Sequence, residues 1–590
     1  MKVELDEENP GWLLLRGEVR ESAAVKTVPG VRWDSRRNAW RCRCSWASCL
    51  QLRGVFGPYL EVGPRLAQWS REERATRIVP QMDLRARGVA GIDEGDPRLF
   101  PFQRAGVRFL LGGRGVILAD QMGTGKTVQT LVALAEGAPE TLPALVIAPR
   151  ASSAHQWVAE AQRWTPGLDA VAVLGTVAKR RKILAERHDI YVTTRGLVQQ
   201  HSSLAAYGNL ALRRCPAHGG PSPLAETKCE AHPKELNRPW GAVVVDEAHR
   251  IKDPRAKTTR AVWSVCASAS FRWLLTGTPI ANTTADLWSL LHAADAFEWP
   301  SRSAFLDRYC ETSYNPWGGL EVQGIRRATR DELFAVIDPR MLRRTKAEVL
   351  PQLPPKLPTK VVVVEQPTQQ RRRYEEARDQ LLADLDAGTL VVTSPLTLTI
   401  RLRQLAAASL EERPPAEPDG VPGYGLVEPS AKLDAFMEII DDLGDAPAVV
   451  FAEFPELLNM ASRRLQNASP PVGHSLVHGG VPDLTREREL QRWSEGGSQL
   501  LLMTLGTGSE GLNLTRASHT IYLQRPWSSI VNAQSEDRTH RFGQEAPCVT
   551  YVDIVTDDTI EQRVLDVLVA KNETLQDLVR DKERLKELLR

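Results

Sequence analysis

Asp120-Gln121-Met122-Gly123-Thr124-Gly125-Lys126-Thr127 follows the apolar run Val116-Ile117-Leu118-Ala119 and precedes the helical pattern Val128-Gln129-Thr130-Leu131-Val132-Ala133-Leu134. The order is strand, glycine loop, helix. Small residues at Gly123 and Gly125 let backbone N–H groups curl around a polyphosphate, and the positive end of the following helix faces it. With Thr124 in the cradle, Lys126 can reach the β- and γ-phosphates of ATP, and the Thr127 hydroxyl can hold Mg²⁺. Asp120 stands where the usual G-x-x-x-x-G-K-[ST] spacing has its first glycine, so a plain buried turn is the competing reading. The downstream run Gly241-Ala242-Val243-Val244-Val245-Asp246-Glu247-Ala248-His249 decides against it. A short apolar strand ending in two acids is where a Mg²⁺-holding Asp246 and a water-polarising Glu247 belong.

With 590 residues and 42% hydrophobic content, the chain can bury several cores, and three to four domains are expected. The formal charge is only +2, so any nucleic-acid footprint must be a local patch. Met1-Lys2-Val3-Glu4-Leu5-Asp6-Glu7-Glu8 has no apolar core for a translocon to read, and no later apolar run approaches the ~20 residues that span a bilayer. No membrane partner is expected. The expected location is intracellular: cytoplasmic for a prokaryotic or viral chain, nuclear for a eukaryotic one. Eight cysteines are too few for a disulfide scaffold, which fits a reducing compartment.

Residues 1–95 read as a small separate module with a strand-turn-strand rhythm. From Arg20 to Arg87 there are 14 basic residues against 6 acidic, interleaved with Trp33, Trp40 and Trp46. That composition suits phosphate contacts and base stacking, and it equally suits a small tryptophan core with a solvated arginine face. Cys42, Cys44 and Cys49 lack a second ligand pair and read as free thiols.

From Leu99-Phe100-Pro101-Phe102-Gln103-Arg104 onward, strands alternate with helices, which indicates a parallel α/β sheet with ligands at the strand C-terminal ends. Gln103 is a candidate reader of the adenine edge, because its amide offers a donor and an acceptor together. The rhythm recurs at Pro447–Phe451, Leu500–Thr504 and His519–Leu523, so a second sheet is expected. Between the Thr193-Thr194 strand and Asp246, the pairs Cys215-Pro216-Ala217-His218 and Cys229-Glu230-Ala231-His232 could close a tetrahedral Zn²⁺ site. The alternative is a loop with unpaired thiols and solvated histidines. Glu411 to Pro429 reads as an exposed Pro/Gly/acid-rich loop, and Thr559 to Arg590 as a helical brace.

Asp246-Glu247-Ala248-His249-Arg250-Ile251-Lys252, Leu274-Leu275-Thr276-Gly277-Thr278-Pro279-Ile280, Leu342-Arg343-Arg344-Thr345-Lys346 and Gln534-Ser535-Glu536-Asp537-Arg538-Thr539-His540-Arg541-Phe542-Gly543-Gln544 together resemble the Swi/Snf-type ATPases of helicase superfamily two. Val28-Pro29-Gly30-Val31-Arg32-Trp33-Asp34 with Ala39-Trp40 resembles the HARP-type module found ahead of the motor in annealing helicases. The first resemblance implies an α/β fold of two RecA-like parallel-sheet lobes: lobe 1 over 96–345 with the 200–238 insertion, and lobe 2 over 346–558. It implies ATP and Mg²⁺ chemistry of the DEAH-box type, with Gln534 on the nucleotide and Arg538 and Arg541 stabilising the transferring phosphoryl group. The partner it implies is double-stranded or branched DNA, in remodelling or repair, with no oligomer required. The family's Ala-Gly-Gly is Thr507-Gly508-Ser509 here, and Ser528-Ser529 replaces the Asn-Pro after Trp527. A strand-separating DNA or RNA helicase and a passive scaffold with a dead motor are the competing functions.

Overall fold

The computed structural model describes the chain apart from residues 19–20, 201–239, 280–283, 315–319, 388–394, 414–422, 509–511, 527, 542, 564 and 566–590. Cys215, His218, Cys229 and His232 therefore lie outside the described residues, as does most of the C-terminal brace. The chain divides into two compact units, Met1–Pro351 and Gln352–Arg590.

In the first unit, β1 (Lys2–Leu5), β2 (Trp12–Arg16), β3 (Arg32–Asp34), β4 (Ala39–Arg43) and β5 (Glu61–Val62) form one sheet in the order β3-β4-β2-β1-β5. Strand alternation turns Leu13 and Leu15 to the face that holds Val3, Cys42, Leu52 and Phe56, the last two from the Trp46–Phe56 helix. Trp12, Arg41 and Arg43 fall on the opposite face. The sequence sets this module apart, but buried polar bonds join it to the rest of the first unit. The Gln51 amide donates to the Tyr309 hydroxyl (3.0 Å), the Ala47 N–H to Glu298 (3.0 Å), and Arg308 to the Gln51 carbonyl (3.1 Å). Cys42, Cys44 and Cys49 are free thiols packed into the module's core.

The main sheet of this unit comprises β6 (Gly115–Leu118), β7 (Ala144–Ala148), β8 (Ala170–Ala172), β9 (Ile190–Thr194), β10 (Trp240–Val245) and β11 (Ala269–Leu275). A separate antiparallel hairpin follows, β12 (Cys310–Tyr314) with β13 (Leu320–Ile325), and then β14 (Met341–Leu342) returns to the main sheet. All its pairings are parallel, in the order β14-β6-β11-β10-β7-β9-β8. Near-continuous apolar strands allow helices to cover both faces. Along β6, β7, β10 and β11 alternate residues go to two cores: Ile117, Leu145, Val243 and Leu274 face one, and Leu118, Val146, Val244 and Leu275 the other. The chain goes from β6 to β7 across two intervening strands. Such a reversal opens a crevice at the strand C-terminal ends, where the glycine loop lies.

The second unit repeats the plan with β15 (Lys360–Val364), then, after the hairpin β16 (Ser409–Arg413) and β17 (Gly423–Val427), with β18 (Ala448–Ala452), β19 (His474–Val477), β20 (Leu500–Thr504), β21 (His519–Tyr522) and β22 (Thr550–Thr556). The six-stranded sheet, β15-β22-β21-β18-β20-β19, is wholly parallel. The expected loop at 411–429 is in part this antiparallel hairpin. Leu410 opposite Leu426 is buried and holds it to the core, an apolar pair that the surrounding Pro and Glu residues disguise. Among the described residues no helix is long and apolar enough to cross a membrane.

Candidate nucleotide site

The glycine loop leaves β6 with Asp120 and closes at the first turn of the Lys126–Glu136 helix. Gly123 and Gly125 both have φ of +83°, a left-handed conformation that side chains disfavour, and a Cβ on Gly125 would lie 2.4 Å from the Gln103 amide. Three side chains fasten the loop. The Thr124 hydroxyl donates to the Gln121 carbonyl (2.9 Å), while Gln103 (3.0 Å) and Gln129 (3.3 Å) donate to the Thr124 carbonyl. The carbonyl end of Gln103 accepts from the Phe100 N–H (3.0 Å). Both ends of the amide expected to read adenine are thus engaged in this structure, and Gln103 acts on the loop. The Lys126 ammonium donates to the Asp120 (2.8 Å) and Gln121 (3.3 Å) carbonyls, along the loop that a polyphosphate would fill.

Asp120, the residue that breaks the glycine spacing, is fully buried. Its carboxylate accepts from Arg344 Nε at 3.0 Å, and Arg344, itself 1% exposed, also donates to the carbonyls of Gly88 and Phe102 and to the Gln129 amide. The 341–346 segment runs beside the loop: Ala119 donates to the Leu342 carbonyl (2.7 Å), Gln121 to the Arg344 carbonyl (2.9 Å), and Lys346 N–H to the Gln121 side chain (2.9 Å). Nothing in the 342–346 sequence alone assigns Arg344 this role. Its signal was present as an acid where glycine is expected together with a distant arginine, although nothing local links the two.

On the other side of β11, β10 delivers Asp246 and Glu247. Asp246 accepts from the Trp157 indole (3.0 Å) and from the Glu247 N–H (2.9 Å). Burial, with Glu247 beside it, pushes the Asp246 carboxyl up to about 6. Burial also works to raise Glu247, but His249, Lys126 and Arg250 outweigh it and hold this carboxyl below its ordinary value. The His249 ring lies 3.2 Å from the Glu247 carboxylate and 3.2 Å from the Thr276 hydroxyl, which accepts from the Thr278 N–H (3.1 Å). Gly277 lies so close to the glycine loop that a Cβ would come within 3.0 Å of the Met122 side chain. Thr276-Gly277-Thr278 therefore lies against the phosphate loop and reaches Glu247 through His249.

Within the second unit, the Ser529–Thr539 helix carries Gln534 and Arg538, both buried. Arg538 donates to the Leu512 carbonyl (3.2 Å). The helix ends at Thr539, so Arg541 lies beyond it and off the helix that carries Arg538. Glu536, between Gln534 and Arg538, is held by Arg525 at 2.6 Å and by Lys356.

The SNF2-related domain matches residues 64–409, more than half of the chain, and the helicase conserved C-terminal domain matches 431–543. The chain belongs to the SNF2-related family. Its two matched domains meet the expectation of a helicase-like ATPase core. The chain is 28% identical to an uncharacterized ATP-dependent helicase of Mycoplasma pneumoniae, over 80% of its own length and 41% of the relative's. It is 27% identical to the ISWI chromatin-remodeling complex ATPase CHR11 of Arabidopsis thaliana, over 79% and 41%. It thus spans about two fifths of the length of these relatives. A solved Sulfolobus solfataricus SWI2/SNF2 ATPase core in complex with dsDNA is similar at 24% identity and a TM-score of 0.37, over 83% of this chain and 95% of that one.

Proposed function

We propose that this SNF2-related chain is an ATP- and Mg²⁺-dependent double-stranded-DNA translocase that remodels or anneals DNA structures. The observation that carries the reading is the convergence of Lys126, Thr127, Asp246 and Glu247 on one glycine loop at the ends of parallel strands. Hard oxygen donors suit Mg²⁺, and a buried acid pair with a raised Asp246 carboxyl fits a cation between it and the loop. Thr127 and Asp246 would hold that ion, which when bound neutralises β- and γ-phosphate oxygens. Lys126 exchanges its two loop carbonyls for those oxygens. Glu247, kept ionised by His249, polarises the attacking water, and Arg541, with Arg538 second, neutralises charge developing in the transition state.

DNA belongs beside this site. A hollow of about 550 Å³ at the ends of β7 and β9 is lined by Pro149, Arg150, Gly175, Thr194, Arg195 and Thr258. Burial, and next the Arg195 charge, lower the pKa of Arg250, while Arg195 donates to the Arg250 carbonyl (3.0 Å). Cations crowded in this way gain most from a polyanion. The turn from Glu247 to Arg250 then links a phosphate on Arg195 to the hydrolytic acid. Duplex DNA should raise the ATPase rate more than single-stranded DNA or RNA does, and Arg195→Ala should blunt that stimulation while lowering the salt dependence of DNA binding by about one phosphate contact. A rate indifferent to every nucleic acid would favour the inactive scaffold, and stimulation by RNA or single strands alone would favour the strand-separating helicase. The resemblance of Val28–Trp40 to the HARP-type module supports annealing as the work done.

Arg541→Ala should leave nucleotide affinity intact and lower turnover by roughly 10³-fold, the usual cost of a transition-state guanidinium. Lost binding with a normal rate per bound ATP would remove it from that role. We further propose that Cys215, His218, Cys229 and His232, which lie outside the described residues, hold one structural Zn²⁺. The spacing supports it, and elemental analysis should find one zinc per chain, released by Cys215→Ser or Cys229→Ser. Zinc well below one equivalent and unchanged by those substitutions would leave a plain loop.

A further inference from the structure

The second unit begins at Gln352, and residues 354–357 run beside Val549, just ahead of β22: Leu357 donates to the Val549 carbonyl (3.0 Å) and Val549 to the Pro355 carbonyl (3.2 Å). From there the segment grips the end of the Ser529–Thr539 helix at two points. The Lys356 ammonium pairs with Glu536, and the His540 ring donates from Nε2 to the Pro354 carbonyl (2.9 Å). Glu536 and His540 are one turn apart, joined by the His540 N–H on the Glu536 carbonyl (3.0 Å). The second cation on Glu536, Arg525, is itself fixed by Asp553 (2.8 Å) and by the Tyr522 ring, whose centroid lies 3.8 Å from the guanidinium. Tyr522 shares a hydrogen bond with Ser535 (2.6 Å), and Tyr551, its ring centroid 4.8 Å from the Lys356 ammonium, donates to the Glu536 carbonyl (3.1 Å). Burial works to raise the Glu536 carboxyl, but Arg525 and Lys356 outweigh it and hold it below its ordinary value.

We infer that Lys356 is a positioning residue for ATP hydrolysis, its ammonium setting, through Glu536 and the helix's last turn, where Arg541 stands. The inference rests on the transition-state role proposed above for Arg541. Lys356 is 41% exposed, so its ion pair adds little to stability by itself. What it fixes is a position. Arg525 anchors the Glu536 carboxylate to β22 through Asp553, and Lys356 ties the same carboxylate to the segment by which the chain enters the unit. Removing the ammonium leaves Glu536 paired with Arg525, so no buried charge is orphaned and the unit stays folded. The helix end keeps only one of its two ties to residues 354–357, and the residues that follow His540 shift with it. A catalytic group acts at near-contact range, so a shift on the order of 1 Å costs up to roughly 10²-fold in rate.

The test is ATP hydrolysis by the full chain on saturating duplex DNA. Lys356→Met keeps the aliphatic stem and removes the charge; kcat should fall roughly tenfold or more while KM for ATP changes less than about twofold, the signature of an interaction made only in the transition state. Lys356→Arg, which keeps a cation for Glu536, should stay within about threefold of the unaltered chain. In the Arg541→Ala chain, followed by single-turnover hydrolysis, adding Lys356→Met should cost less than about twofold, because the group it positions is already gone. Normal kcat in Lys356→Met, an equal fall in Lys356→Arg, or a loss of the same size with and without Arg541 overturns the inference and leaves Arg541 in its role. Normal turnover in Arg541→Ala alone removes that role first, and the inference with it.

Discussion

Lys126→Ala should nearly abolish ATP turnover, with a fall of at least roughly 10²-fold, because a preorganised charge aimed at the transferring phosphate is removed. The Lys126 ammonium donates to the Asp120 and Gln121 carbonyls and makes no salt bridge among the described residues, so its loss breaks no ion pair there. The defect should therefore be catalytic, and the denaturation midpoint should shift little. Glu247→Gln is the informative companion. The amide keeps the shape and removes the base, so ATP should stay bound while hydrolysis slows. Measurement of bound nucleotide and phosphate release in both variants separates the roles, and near-normal turnover in either would sink the assignment.

Arg344→Ala should cost about 3–5 kcal/mol of stability, the range found when one partner of a buried ion pair is removed and the other left behind. Asp120 would be left buried without its cation, and the carbonyls of Gly88 and Phe102 would lose their donor. Chemical denaturation followed by tryptophan fluorescence should show the loss in the first unit. Replacing both partners, with Asp120→Leu and Arg344→Met, should recover much of it, because a buried pair exchanged for apolar groups of similar volume is often near neutral. A single-variant loss below about 1 kcal/mol would mean that the pair is solvated in solution.

The strand, glycine loop and acid pair were legible because each is local: apolar runs, two glycines needing left-handed backbone, and carboxylates at a strand end. What escaped was reached across the chain. The Asp120–Arg344 pair joins residues more than 200 positions apart, and the Trp157 indole on Asp246 spans nearly 90. Gln103 was legible beside the loop, but its bonds to the Thr124 carbonyl and the Phe100 N–H were not, since an amide in the sequence does not say which backbone groups it meets. The end of the helix at Thr539 was hidden by the run of polar residues through Arg541, which continues without a breaker. The N-terminal module looked separate because its composition shifts, although Gln51 and Ala47 bond to residues near position 300.

The edge strand Met341–Leu342 and the Arg344 it carries come last in the first unit, yet they complete a loop that begins at Asp120. Synthesis runs from the N-terminus, so a growing chain exposes the phosphate cradle long before its final strand leaves the ribosome. Until then Asp120 has no cation, and β6 is an open edge. The first unit is thus expected to gain nucleotide affinity abruptly, when residue 346 emerges rather than when Thr127 does. Released fragments ending at 340 and at 351 would differ in ATP binding if that order holds.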